Sequence, residues 1–108
     1  MLPFVVVTSA GGPTNDLAVV QQLVAAGKWT ITHTAFAGAS ALKLDRTDVE
    51  ACIAGLSLGD FHKTMESTGK PGQAQDVYRP TYLKVPIYLK LKLTDMVVVI
   101  SFKRDESR

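Results

Sequence analysis

Hydrophobic and polar positions follow two different periods along this chain. In the first sixty residues the apolar side chains recur every three or four positions, as on one side of an amphipathic helix. Between residues 86 and 102 they alternate with their neighbours, as along a strand. This order predicts an α+β fold, with N-terminal helices packed on one face of a C-terminal antiparallel β-sheet.

Three helices are predicted, each from a capping residue that precedes an apolar stripe. The first begins near Thr14 or Asn15 and stops at Gly27, since glycine suits the left-handed end of a helix. The second is capped by Thr34 and the third by Asp45. Shorter pieces complete this half: a strand or frayed lead at 4–7, an extended piece at 29–32 and one more turn from Ser57.

The segment at residues 86–94 gives the clearest prediction of a sheet face. Its side chains fall into two sets that point in opposite directions. The apolar set is Ile87, Leu89, Leu91 and Leu93, and the polar set is Tyr88, Lys90, Lys92 and Thr94. Burying lysines would be costly, so the polar set should face water or a ligand.

Two further strands are predicted beside this segment. Residues 75–79 lie between turns rich in glycine and proline, and residues 96–103 alternate again. In the last strand, Val98, Ile100 and Phe102 are expected on one face and Val97, Val99, Ser101 and Lys103 on the other. His62 and Lys63, taken alone, are interpreted as a polar turn at the end of a helix.

Charge is spread unevenly over the 108 residues. The net charge of +2 divides into −2 for residues 1–60 and +4 for residues 61–108. Residues 75–93 hold three tyrosines, one arginine and three lysines, with Asp76 as the only carboxylate. Cations neutralise phosphates and aromatic rings stack on unpaired bases, so this face suits nucleic acid. The plain alternative is a solvated sheet face whose lysines prevent aggregation.

Several classes of protein are disfavoured by composition. Two histidines and one cysteine give no zinc spacing, so no metal or other cofactor is expected. Cys52 lies on a helical stripe and is expected in the core, and a lone cysteine agrees with a reducing cytoplasm. No apolar run approaches the roughly 20 residues of a membrane helix. The expectation is one cytoplasmic domain with a lead at 1–13, a solvated tail at 104–108 and no membrane contact.

Six strings carry a family resemblance from about Leu17 to Lys103. They are LVAAGKWTITHTA, LKLD, GLSLGDFHKTM, QDVYRP, IYLKL and VVVISFK. Together they resemble the MqsR family, the motility quorum-sensing regulator toxins of bacterial toxin–antitoxin systems. The resemblance implies a RelE-like fold and a sequence-selective endoribonuclease that cuts messenger RNA, often at GCU. It also implies an MqsA antitoxin that binds the toxin and represses the operon, so that DNA is reached only through the antitoxin.

The resemblance also assigns residues to the site. The family's proposed catalytic residues fall here on Lys63, Gln75, Tyr88 and Lys103. The residues expected to bind RNA are Tyr78, Arg79, Lys90 and Lys92. The chain departs from the family at His62, where an aromatic residue is usual, and at Ala74, where tryptophan is usual. The turn before IYLK reads KVP, where glycine is frequent.

The implied chemistry uses the RNA 2′-hydroxyl as nucleophile, which requires no metal. Lys63 and Lys103 would stabilise charge on the phosphate, Tyr88 would donate a proton or a hydrogen bond, and Gln75 would hold a hydroxyl or a base edge. The general base is open between a lysine and Tyr88, because either would need neighbouring cations to lower its pKa.

Two other functions compete with this one. A non-catalytic or decayed module could use the same basic face to bind an antitoxin or regulator. A DNA-binding regulator is disfavoured because residues 45–56, which would have to supply a recognition helix, are rich in acids.

Overall fold

The computed structural model describes residues 4–7, 12–67 and 74–107. Its elements follow the chain in this order: β1 Phe4–Val7, α1 Leu17–Ala25, β2 Trp29–Ile31, α2 His33–Ala41, α3 Arg46–Ala54, a 3-10 turn Leu58–Asp60, β3 Phe61–Ser67, β4 Gln75–Tyr78, β5 Thr81–Tyr82, β6 Val85–Leu93 and β7 Val97–Arg104. No helix in the described part is long and apolar enough to cross a membrane.

One sheet organises the molecule, and the helices cover one of its faces. Its strands run in the order β1-β3-β4-β6-β7-β2, and β5 pairs with β6. The pairs are antiparallel except for β2 beside β7, which is parallel. Ile87, Leu89 and Leu91 of β6 are fully buried in the cluster that also holds the helix side chains. These findings confirm the predicted α+β fold.

The start of α1 lies slightly later than predicted, because its expected caps bind elsewhere. Asp16 is the N-cap, and its carboxylate accepts from two backbone N–H groups of the first turn. The backbone N–H groups of Thr14 and Asn15 donate to the carboxylate of Asp76 in β4, at 3.0 and 2.9 Å. These two hydrogen bonds connect the segment that precedes α1 to the sheet. Gly27 does end the helix region in the left-handed conformation, with φ 78°.

The N-cap of α2 also binds the sheet, whereas the N-cap of α3 binds only within its own first turn. Thr32, two residues before the predicted Thr34, caps α2. Its hydroxyl also donates to the carbonyl of Ile100 in β7 at 3.0 Å, which explains the earlier start. Asp45 caps α3 as predicted and forms a reciprocal capping box with Asp48.

Helix α2 lies so close to β7 that one position must be glycine. A Cβ built on Gly38 would overlap the carbonyl oxygen of Phe102. Glycine at this position therefore lets the two backbones touch.

A β-bulge in β7 reverses part of the predicted alternation. Leu91 pairs with Val99 and Lys90 pairs with Ser101, so Ile100 is an extra residue. Val99, like Val97, is buried on the helix side together with Phe102. The prediction that these two valines oppose Phe102 is therefore wrong, whereas Lys103 does lie on the other face. The bulge is what directs Lys103 away from the helices.

Residues 61–67 form a strand, so the interpretation of His62 and Lys63 as a turn after a helix is wrong. β3 pairs with β1 on one side and β4 on the other. A register shift between Phe61 and Lys63 places a bulge at His62. That bulge interrupts the alternation by which a strand is recognised in a sequence. The glycine- and proline-rich loop at 68–73 lies outside the described residues.

Candidate functional site

The candidate site lies on the open face, the side of the sheet opposite the helices. Lys63 of β3 pairs with Val77 of β4, and Val77 pairs with Lys90 of β6. Lys90 pairs in turn with Ser101 of β7. Side chains paired directly across neighbouring strands point the same way, so these four form one row across the sheet. The row brings together two lysines that lie far apart in sequence.

Tyr88 and Lys103 stand beside this row. They pair across β6 and β7, and the Lys103 Nζ lies 5.3 Å from the centroid of the Tyr88 ring. A cation at this distance over an aromatic face is attracted to the ring. The predicted catalytic lysine and tyrosine are therefore direct neighbours.

Gln75 and Lys92 continue the open face on the other side of the row. Gln75 pairs with Met65, and Lys92 pairs with Val98. The Gln75 Oε1 atom is buried and accepts no hydrogen bond from any described residue. A buried amide oxygen without a donor is costly, so a donor that reached it after a shift of the surrounding side chains would relieve that cost.

Val77 shows that the open face is covered by its own side chains. It points to this face between Lys63 and Lys90, yet it is 0% exposed. Lysine stems bury their methylenes on apolar surface and keep their ammonium groups in water. Lys90 itself is half-buried. The row is therefore a packed layer with an apolar floor.

The environment shifts the titration of two groups in this layer in opposite directions. Burial, followed by the Lys103 and Lys63 cations, lowers the pKa of Lys90. Burial, followed by the Asp105 carboxylate, raises the pKa of the Tyr88 phenol. A raised pKa keeps the Tyr88 phenol protonated at neutral pH, which favours proton donation over the role of general base.

Arg79 is held at the edge of the open face by the end of the chain. Its Nε lies 2.7 Å from the Asp105 carboxylate, and its terminal nitrogen donates to the Ser107 hydroxyl at 2.7 Å. Asp105 is only 2% exposed, so the prediction of a merely solvated tail fails at this residue. No local pattern could predict the burial of Asp105, because its partner Arg79 is 26 positions away.

Two of the three clustered tyrosines are absent from the open face. Tyr78 is 0% exposed and packs edge-on against Phe61, at 5.8 Å between ring centroids. The prediction that Tyr78 contacts RNA is wrong for this structure, since a base could reach it only by opening the core. Tyr82 donates its hydroxyl to Asp48 of α3 at 2.8 Å. Tyr88 is the phenol that remains on the open face.

His62 occupies the margin of the site. It lines an open cavity of about 240 Å³ together with Gly59, Asp60, Phe61 and Arg79. Burial, followed by the Arg79 and Lys63 cations, lowers the pKa of His62, so its imidazole is neutral at pH 7. This departure from the family string places a neutral imidazole, which can accept a proton, near Lys63 and Arg79.

Other candidate chemistry lies away from this face. Burial raises the pKa of Cys52 to about 12, and the residue sits in the core as predicted. No group of three or more histidine, cysteine, aspartate or glutamate residues that could hold a metal occurs within 4–7, 12–67 and 74–107.

Comparison with known proteins identifies the family of this chain. The family described as "Motility quorum-sensing regulator, toxin of MqsA" matches residues 12–104. The chain belongs to the MqsR toxin family. It is 37% identical over 91 residues to the mRNA interferase toxin MqsR of Escherichia coli strain K12. The aligned segment covers 84% of this chain and 93% of that protein. The family resemblance of the six strings is thereby confirmed, and β1 precedes the matched segment.

Proposed function

We propose that this MqsR-family chain is an mRNA interferase, an endoribonuclease that cuts single-stranded messenger RNA in the cytoplasm. The observation that carries the proposal is the assembly of Lys63, Tyr88 and Lys103 on one face from three different strands. Phosphate recognition needs such a concentration of cations, and proton donation to a leaving oxygen needs a protonated group beside them.

The cleavage step requires no atom that RNA and these side chains do not supply. A basic group takes the proton of the RNA 2′-hydroxyl as its oxygen attacks the adjacent phosphorus, the bond to the 5′-oxygen breaks, and a 2′,3′-cyclic phosphate remains. Lys63 and Lys103 stabilise the negative charge that grows on the phosphate oxygens. The Tyr88 hydroxyl, protonated at neutral pH because its pKa is raised, donates to the departing oxygen. The reaction is proposed to be independent of metal ions.

Binding of the flanking nucleotides is assigned to the rest of the open face. Lys92 neutralises a neighbouring phosphate, and Gln75 offers an unpaired acceptor to a hydroxyl or a base edge. Arg79 keeps guanidinium N–H groups at the margin while Asp105 fixes its direction. A GCU-like preference is proposed from the family, with Ala74 as the position most able to change it.

The proposed partner is an MqsA-like antitoxin. Its contact with this chain would suppress the toxin, and any effect on DNA would pass through the antitoxin. Because the open face combines exposed cations with an apolar floor, binding of RNA and of an acidic antitoxin segment would compete wherever the two overlap.

The proposal is tested by incubating the purified chain, freed of antitoxin, with a defined single-stranded RNA that contains GCU, in EDTA. Discrete cuts are expected, and Lys63→Ala should slow them at least about 100-fold. Lys28→Ala is the matched control, because it removes an exposed lysine that precedes β2. Intact RNA with a chain shown to be folded would refute the nuclease function and favour a non-catalytic binding module.

A further inference from the structure

We propose that Lys90 is the general base, accepting the 2′-hydroxyl proton while Tyr88 donates to the leaving oxygen. This inference rests on the proposed nuclease function and names a residue of the same site for a role that family resemblance left open. The strand pattern suggested only RNA binding for Lys90, whereas its position in the sheet makes it the central amine of the basic layer.

Lys90 and Tyr88 are spaced to flank one phosphate. They are two residues apart on β6, so both point to the open face at about 7 Å from Cα to Cα. In-line cleavage needs a proton acceptor and a proton donor on opposite sides of one phosphorus, each within about 3 Å of its oxygen. Neighbouring positions of one strand face can flank a phosphate in this way, and strand β6 holds them in a fixed relation.

The surroundings of Lys90 support the same role. From β3 it is faced by Lys63, and from β7 by Lys103 and the uncharged Ser101. Its directly paired residue on β4 is the buried Val77, and Arg79 beyond that strand is paired with Asp105. The Lys63 and Lys103 cations both repel the charged form of Lys90.

Those surroundings favour the neutral amine. The half-buried position and the two cations lower the pKa of Lys90, which increases the fraction able to accept a proton. The exposed Lys103, which lies over the Tyr88 ring, and Lys63 in β3 are assigned to the phosphate oxygens. Lys90 is therefore assigned as the proton acceptor, and Lys63 and Lys103 are assigned to stabilise the charge on the phosphate.

The proton balance of the step closes on these two side chains. The Lys90 Nζ lone pair takes the 2′-hydroxyl proton as the oxygen–phosphorus bond forms. The phosphorus–O5′ bond breaks, and the Tyr88 hydroxyl proton moves to O5′. The products are a 2′,3′-cyclic phosphate, a 5′-hydroxyl end, a Lys90 ammonium and a Tyr88 phenolate. Water then returns the proton from the ammonium to the phenolate.

The decisive comparison is Lys90→Arg against the wild-type chain in single-turnover cleavage of one defined RNA over a range of pH. Arginine keeps the positive charge but does not deprotonate in proteins, so a base is lost while phosphate attraction is kept. We expect cleavage to fall about 100-fold or more, with RNA affinity nearly unchanged. The rise of the wild-type rate with pH should flatten. Lys28→Arg is the matched control at an exposed lysine before β2.

A second substrate separates the base from the acid. An RNA with sulfur in place of the 5′-bridging oxygen has a leaving group that needs no proton. It should restore cleavage by Tyr88→Phe but leave Lys90→Arg slow. Thermal unfolding of each variant verifies that it is folded, and Lys90→Gln provides a shorter uncharged replacement that should also stay slow.

The outcomes separate the two proposals. If the wild-type chain cuts RNA and Lys90→Arg cuts equally well, Lys90 acts only as a cation and the inference is overturned while the nuclease function stands. The same holds if His62→Gln, rather than Lys90→Arg, removes the pH dependence. If the sulfur substrate rescues Lys90→Arg, its role is on the leaving-group side. A wild-type chain without activity on any RNA overturns both.

Discussion

Replacing Asp76 by alanine should destabilise the fold in a way that one double-mutant cycle can dissect. The buried carboxylate accepts four hydrogen bonds within 3.0 Å: from the Thr14 and Asn15 backbone N–H groups, the Asn15 side-chain amide and the Thr64 hydroxyl. Asp76 is 0% exposed. Asp76 therefore connects β4 both to the segment that precedes α1 and to β3. None of these hydrogen-bond partners is a cation.

The loss in the free energy of unfolding depends on which of these donors can be hydrated once the carboxylate is removed. Thr14 and Asn15 are at least partly exposed, so their N–H groups can be hydrated. Thr64 is 1% exposed, and its other neighbour, the Thr14 hydroxyl, is at 3.5 Å. An unsatisfied buried hydroxyl costs about 1–3 kcal/mol, and a hydrogen bond to a charged group contributes about 1.5–3 kcal/mol. We expect Asp76→Ala to lower the free energy of unfolding by about 3 kcal/mol, or Tm by about 12 °C.

The assay is urea and thermal unfolding of four chains: wild type, Asp76→Ala, Thr64→Val and the double variant. Thr64→Val should cost about 2 kcal/mol in the wild type, where it breaks a 2.7 Å hydrogen bond to the carboxylate. In the Asp76→Ala background it should instead stabilise by a similar amount, since it removes an unsatisfied hydroxyl. Asp95→Ala, an exposed carboxylate between β6 and β7, is the control. Equal costs of Thr64→Val in both backgrounds would refute the reasoning.

Three further predictions concern the site and the packing. Tyr88→Phe should slow cleavage about 100-fold or more and change RNA affinity little, because the ring remains; equal losses of rate and affinity would contradict its role. Gly38→Ala should lower Tm markedly, because its Cβ overlaps the Phe102 carbonyl, and an unchanged Tm would show that α2 is not in contact with β7. Hydrogen bonding to Asp48 raises the pKa of Tyr82 from 10.0 to about 12, so its stabilisation should be intact below pH 10 and disappear as pH rises towards 12. Unfolding of Tyr82→Phe and wild type across that range measures this, and a difference that grows with pH would reverse the assigned sign.

Local sequence signals were sufficient for the elements whose stabilising partners are nearby in the chain. The Asp45 cap, the Gly27 stop and the alternation of β6 depend on residues within a few positions. The family strings placed the site residues, because they connect distant segments that no period relates. The neighbouring lysines of the open face could be anticipated from β6 alone.

Longer-range contacts account for what the sequence did not predict. The two bulges, at His62 and Ile100, each insert a residue that breaks the alternation by which strands and faces are predicted. Tyr78 reads as part of a basic, aromatic surface, yet the pairing of β4 with β6 turns it to the helix side with Leu89. Asp105 belongs to a polar tail in sequence, yet it is buried and pairs with Arg79, 26 positions away.

If the RNA itself supplies the nucleophile on this basic face, one substitution in the substrate should abolish cleavage. The nucleotide on the 5′ side of a mapped cut is replaced by its 2′-deoxy analogue, and cleavage is followed in EDTA. We expect this cut to be lost while others persist, and the unmodified RNA to leave 2′,3′-cyclic phosphate and 5′-hydroxyl ends. Cleavage of the deoxy position at the original rate, or 5′-phosphate ends, would contradict it.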